Sequence, residues 1–310
     1  MPPVNRVPAN LLRLKPALAV AERHGYALGS FAPRYTAMIA PVLRAAQRTS
    51  SPLIVQISQR ELVRYKLDAA TFADEIFRVI ADDGITVPVV LHLDHSFDLP
   101  VLAAAIDAGF TSVMMDQSTK ALEENIALTR EAAAYAHLRG VSIEAELGRI
   151  GTTDHIETEH DDEFFTDPDE AARFVDETGC DALAVSVGTA HGPYTTKQPK
   201  IDLARLARIR AGTRVHLVLH GGSGVPPHMI QQAVRMAGGG VSKVNIATDL
   251  EEAVLKTLGR SERMDNDECL NLPADQLASA RAAVERTVVD KLQNFLGSGG
   301  RAADFRALVH

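Results

Sequence analysis

Short apolar runs recur along the chain, separated by stretches whose apolar positions follow helical spacing. The runs are Tyr26–Phe31, Leu53–Ser58, Val87–Leu93, Ser112–Met115, Val141–Leu147, Ala182–Val187, Val215–His220 and Lys243–Ile246, eight in all. Most are continuously apolar instead of alternating, as expected of parallel strands buried on both faces. Parallel strands joined through helices form right-handed βαβ units, and eight such units close into a (β/α)8 TIM barrel of the α/β class. Helix signals support this phasing. Asp167-Pro168-Asp169-Glu170 predicts an N-cap carboxylate with proline at the first helical position, in a helix running to Gly179. Thr248-Asp249-Leu250-Glu251 reads as a capping box directly after the last strand. Beyond Arg260 the pattern predicts a connector, a helix over 276–295 and a Gly-Ser-rich tail. The expected organisation is one domain over 1–310, with the barrel core at roughly 15–260 and a C-terminal helical extension over 261–310.

A length of 310 residues suits a single α/β barrel, and 46% hydrophobic with 23% charged residues describes a globular chain, not a disordered one. The net charge of −8 argues against a general nucleic-acid or anionic-membrane binder, while a local basic pocket can still hold a phosphate. No run approaches the ~18 apolar residues of a membrane span, and the first 16 residues lack the apolar core of a signal peptide. Cys180 and Cys269 are too few for a disulfide framework. A cytoplasmic protein that engages neither nucleic acid nor membrane is expected.

Catalytic groups of such barrels sit where the strands end. That rule selects Ser58, Asp94, His95, Asp116, Glu146, the His191 loop, His220 and Asn245. Imidazoles and carboxylates from separate strand ends suit a borderline divalent ion such as zinc, which takes three protein ligands and leaves a position for substrate. His92 lies inside its strand and reads as structural. After strand seven, the backbone N–H groups of Gly221-Gly222-Ser223-Gly224 and the Ser223 hydroxyl offer a phosphate cradle, assisted by the helix that starts near Thr248. The polar, aperiodic stretch from Gly148 to Thr166 contains Thr152, Thr153, Asp154, His155, Glu157 and His160. It reads as a lid or as a solvated loop.

The stretches VVLHLDHSFD, SVMMDQS, SIEAELGRIG, DALAVSVGTAHGPY, LVLHGGSGVP and KVNIATDL resemble the class II ketose-bisphosphate aldolases, in order over about residues 15–300. The resemblance implies a zinc-dependent barrel that splits a ketose bisphosphate into dihydroxyacetone phosphate and an aldehyde, or condenses them. It implies His95, His191 and His220 as ligands of one zinc ion per subunit, with Asp116 and Glu146 as supporting or alternative metal positions. Asp94 resembles the acid/base at the fourth-carbon hydroxyl, and Asn245 the amide that helps hold the enediolate. Gly192, Gly221, Gly222, Ser223, Ala247 and Thr248 match the phosphate-binding segments, near which a monovalent cation is implied. Ser58 joins the substrate contacts. The implied partners are a phosphorylated sugar and further copies of the chain, as a dimer or tetramer.

Two positions depart from the pattern. Where the family's lid reads Gly-Gly-x-Glu-Asp, this chain has Gly151-Thr152-Thr153-Asp154-His155, so Asp154 stands in for a glutamate one methylene longer. Where Phe-Asn follows strand one, this chain has Phe31-Ala32. A sugar-phosphate-binding barrel without turnover, or a metal-dependent isomerase or hydrolase, are the alternatives. A Schiff-base aldolase using Lys243 would leave the histidines unexplained.

Overall fold

The structure, a computed structural model, describes residues 7–150, 164–192 and 198–308. Its strands are β1 (Leu28–Phe31), β2 (Leu53–Ser58), β3 (Val89–Ser96), β4 (Ser112–Met115), β5 (Ser142–Leu147), β6 (Ala182–Val185), β7 (His216–Leu219) and β8 (Val241–Ile246). They are parallel and close a barrel in chain order. The seam joins β1 to β8, with Leu28 opposite Lys243 and Phe31 opposite Ile246. The expected barrel is therefore present, and each apolar run coincides with a strand to within a few residues.

The helices are α1 (Leu14–His24), α2 (Ile39–Arg48), α3 (Gln59–Arg64), α4 (Ala69–Asp82), α5 (Leu99–Asp107), α6 (Leu122–His137), α7 (Pro168–Thr178), α8 (Leu203–Gly212), α9 (Pro227–Val234), α10 (Thr248–Leu258), α11 (Asn266–Leu270) and α12 (Ala274–Asp290). Val55, Leu91, Val113, Ile143, Leu217 and Val244 belong to the main core between strands and helices. Residues one position away form a separate inner core that contains Leu28, Ile54, Val90, Met114, Ala182 and Val218. The floor of that inner core is α1, whose buried Leu14, Ala17, Leu18 and Ala21 repeat at helical spacing on one stripe. The sequence reading left α1 unassigned.

Going up the strands, the inner face turns from apolar to polar. Ile54 gives way to Gln56 and Ser58, Val90 to His92 and Asp94, and Val218 to His220; all of these are buried. A strand buried on both faces reads as uniformly apolar only while its inner face touches the floor. This gradient creates a polar chamber at the C-terminal mouth, where barrels carry their chemistry.

Helix α7 begins as expected. Asp167 accepts from the N–H groups of Asp169 and Glu170 at 2.8 and 3.0 Å, and Gly179 ends the helix at φ 70°. The capping box expected at Thr248 does not form: Ala247 is the N-cap of α10 and no side chain caps it. The Asp249 N–H donates to Ser223 Oγ at 3.2 Å, and Glu251 is drawn to Arg34, Tyr65 and Arg263. Tertiary partners have taken the Glu251 carboxylate that the local motif would use, and the Glu251 N–H bonds to Ala247 O. The C-terminal helix starts at Ala274, slightly earlier than expected, and continues beyond Asp290 into a wider π turn over Lys291–Phe295. It packs on α2 and α10.

Candidate metal centre

In a regular strand, consecutive side chains face opposite sides, so Asp94 and His95 cannot both enter the barrel without a break. Strand β3 supplies that break. Leu93 pairs with Val113, but Ser96 pairs with Met115, so β3 holds one extra residue and bulges between them. His95 sits there at φ 34°, in the left-handed region that non-glycine residues rarely occupy. The bulge turns His95 inward beside Asp94.

His95, His191 and His220 then meet at the mouth, each offering a ring nitrogen within 4.8 Å of the others. Their ring centroids are 4.6 to 5.8 Å apart. Two of the rings are fixed from behind. His95 Nδ1 is 2.7 Å from Asp116 Oδ2, and Asp116 Oδ1 accepts from the Ser118 N–H and hydroxyl. His220 Nε2 is 2.9 Å from Glu144 Oε1. The opposite nitrogens, His95 Nε2 and His220 Nδ1, are buried without a well-aligned hydrogen bond, as is Glu146 Oε2, which lies 3.2 Å from His220 Nδ1. Buried polar atoms are nearly always satisfied. Orphaned nitrogens that converge while carboxylates hold their other edges fit the donor set of a divalent ion. Asp116 and Glu146 also form a set with His95, but Asp116 here orients the ring.

Below this triad lies a buried polar chain. Lys243 Nζ donates to Glu144 Oε2 at 2.8 Å and stands 3.4 Å from His92 Nε2. His92 Nδ1 meets Ser112 Oγ at 2.8 Å, in keeping with its structural reading. Asp94 accepts from Gln56 Nε2 at 3.1 Å and from Asn245 Nδ2 at 3.1 Å, and Ser30 donates to Gln56 Oε1. Gln56 and Ser30 fall outside the reading of strand ends because they lie one layer deeper, as does Glu144, which the sequence marks only as part of the polar stretch Glu144-Ala145-Glu146. Their spacing two residues before Ser58, Glu146 and Ala32 is the signal that would have found them.

The electrostatics follow from burial and neighbours. Burial opposes ionisation of Asp94, but the surrounding His95 and Lys243 outweigh it and hold its pKa below the ordinary value. Burial also opposes charge on His95, yet Asp94 and the bond to Asp116 push its pKa up to about 10. His191 goes down to about 3, through burial and then the two neighbouring imidazoles. Glu146 is raised, first by burial and then by Asp116.

The expected phosphate segments converge. A Cβ on Gly221 would lie 2.4 Å from the Ala190 carbonyl oxygen, so the glycine lets the loop after β7 lie against the loop carrying His191 and Gly192. Ser223 ties that same loop to the first turn of α10, beside Ala247 and Thr248. A Cβ on Gly222 would meet Val244 Cγ1 at 2.4 Å, which packs the loop onto β8. Ser58 has a local role: its hydroxyl and N–H complete a capping box with Glu61 at the start of α3. Ala32 is buried, and its N–H donates to Ile246 O at 3.1 Å. The lid expectation, with Thr152, Thr153, Asp154, His155, Glu157 and His160, falls outside the described residues. Its two ends are joined, the Arg149 N–H donating to Phe164 O at 2.7 Å.

A (β/α)8 barrel with three imidazoles and a buried carboxylate at its mouth defines a class of metal-site barrels. The family model for class II fructose-bisphosphate aldolases matches residues 12–301. A fructose-bisphosphate aldolase of Geobacillus stearothermophilus is 38% identical over 294 residues, covering 95% of this chain and 99% of the relative. One of Staphylococcus epidermidis is 37% identical over 292 residues, covering 94% and 99%. Among solved structures, the YdjI aldolase from Escherichia coli K12 superposes with a TM-score of 0.77 at 31% identity, over 94% of this chain and 99% of that one. The chain belongs to the class II fructose-bisphosphate aldolase family. It is a metal-dependent aldolase, a carbon–carbon lyase acting on phosphorylated sugars. No helix among the described residues is long and apolar enough to cross a membrane.

Proposed function

We propose that this aldolase uses zinc and reversibly cleaves a ketose bisphosphate into dihydroxyacetone phosphate and an aldehyde. The observation that carries the reading is the placement of one anionic carboxylate, Asp94, beside three converging imidazoles, with glycine-serine and helix-start segments alongside. His95, His191 and His220 would hold the ion, which when bound supplies a Lewis acid for the charge that develops beside the substrate carbonyl. Asp94 takes the proton of the fourth-carbon hydroxyl as the bond between the third and fourth carbons breaks. Gln56 and Asn245 hold that carboxylate from two sides, so it is aimed before substrate arrives. Asn245 Oδ1 is buried and unpartnered, and faces the same chamber as an acceptor for a substrate hydroxyl. The N–H groups around Gly221, Gly222 and Ser223, with Gly192, Ala247 and Thr248, orient the donor phosphate. Asp154 is assigned the return of a proton to the donor carbon.

A panel of ketose mono- and bisphosphates with coupled detection of dihydroxyacetone phosphate tests the reading. Release from a bisphosphate, lost on chelation and regained with zinc, is expected. His220→Ala should lose both metal and turnover. No dihydroxyacetone phosphate from any ketose bisphosphate by the zinc-loaded protein would sink it.

A further inference from the structure

His92, Asp94 and Glu144 form a second set of ligand-type atoms, all within 4.8 Å of one another and all buried. A lysine already occupies it. Lys243 Nζ is 2.8 Å from Glu144 Oε2, 3.4 Å from His92 Nε2 and 3.9 Å from Asp94 Oδ1, and its side chain is fully buried. Two carboxylates this deep need a compensating cation, because an unpaired buried charge is strongly unfavourable. Glu144 in turn uses its other oxygen to hold His220 Nε2. The order of contacts runs from ammonium to carboxylate to imidazole, and ends at His220 Nδ1 on the triad side of the ring.

We infer that Lys243 is the built-in cation of this inner set and a positioning residue for the metal centre, holding Glu144 so that Glu144 fixes the ring of His220. The inference rests on reading His220 as a ligand. It gives this buried strand lysine a purpose other than imine formation. Its amine is held by Glu144 beneath the triad, on the side away from the mouth. Glu144 without its lysine would carry an uncompensated charge and would be free to recruit its counter-charge elsewhere, so the His220 ring would lose its fixed rear contact.

The test is metal affinity, measured by chelator competition on the intact chain, so it needs no substrate. Second-layer partners of a metal-bound histidine are worth on the order of 10–100-fold in affinity. Lys243→Met should therefore bind zinc at least about tenfold more weakly. The double variant Lys243→Met with Glu144→Gln, whose amide oxygen still accepts from His220 and carries no charge of its own to balance, should return to within about threefold of wild type, since Asp94 keeps His95 beside it. Wild-type affinity in Lys243→Met, or a double variant as weak as that single variant, would overturn the inference. If Lys243→Met does not fold, the double variant decides alone: folding with near-wild-type affinity supports the inference, and failure in either respect overturns it. A His220→Ala control separates the two failures. Unchanged affinity there sinks the ligand set itself, whereas loss there with full affinity in Lys243→Met sinks only the part played by the lysine.

Discussion

At the scale of single residues, the candidate site depends on one irregularity, the extra residue in β3. His-Leu-Asp-His reads in sequence as two imidazoles around a carboxylate, but an ideal strand would send His95 to the helix side. The identities were legible because a polar cluster at a strand end stands out against apolar neighbours. The bulge was not, since nothing in Leu93-Asp94-His95 marks a positive φ. Asp94→Asn preserves shape but turns one of the two acceptor oxygens into a donor, and it cannot accept a proton. Turnover should fall by roughly 10²–10⁴-fold with metal content intact, as removal of a general base does. Near-normal turnover would move the base elsewhere. Gly221→Ala adds a Cβ onto the Ala190 carbonyl at φ 66°. The expected result is a raised KM for the phosphorylated substrate, with an unchanged KM arguing against a phosphate contact at that loop.

At the scale of elements, the strands and α7 were readable because their signals are local: apolar runs, an aspartate cap, a terminal glycine. The start of α10 differs from the local reading because the Glu251 carboxylate answers to Arg34, Tyr65 and Arg263 instead of Thr248. Asp181, just before β6, shows the same tertiary control. It accepts from the Ile143 N–H at 3.0 Å and from His137 Nε2 at 2.9 Å, and pairs with Lys15 at 3.0 Å, so one carboxylate ties β5, α6 and α1 together. Burial pushes its pKa up, but these three partners outweigh it and the net direction is down. A carboxylate depressed in the folded state stabilises the fold above its unfolded value, about 3.9. That contribution is lost as pH falls through the lower folded value. Asp181→Asn should cost about 1–3 kcal/mol at pH 7. It should also flatten the acid side of the stability curve below about pH 5. Urea unfolding at pH 7 and pH 4 checks this, and parallel curves for the two proteins would refute it.

For the molecule as a whole, the barrel was legible from eight spaced runs, whereas its floor was not. Helix α1 is short, and its stripe gains meaning only once the inner residues of several strands are assembled above it. The inner polar layer was likewise hidden inside runs that look apolar when both faces are averaged. A centre built from three strand or loop ends should couple metal binding to global stability. An ion held at 100 times its Kd adds about 2.7 kcal/mol to the folded state. Chelation should therefore leave the barrel folded but lower its Tm by about 5 °C. Differential scanning calorimetry with and without chelator reads this directly, and an unchanged Tm would argue against an ion bound across those ends.

The seam between β1 and β8 also sets a timetable for biosynthesis. The earliest strand to leave the ribosome pairs with the latest, Ser30 lying opposite Asn245. Until Ile246 has emerged, β1 and β7 each present an unpaired edge, and α1 lacks its β8 contacts. Exposed edges invite pairing with other chains, so the nascent chain is at its most vulnerable through nearly the whole of its synthesis. Closure of the barrel, and with it the covering of both edges, must wait for β8.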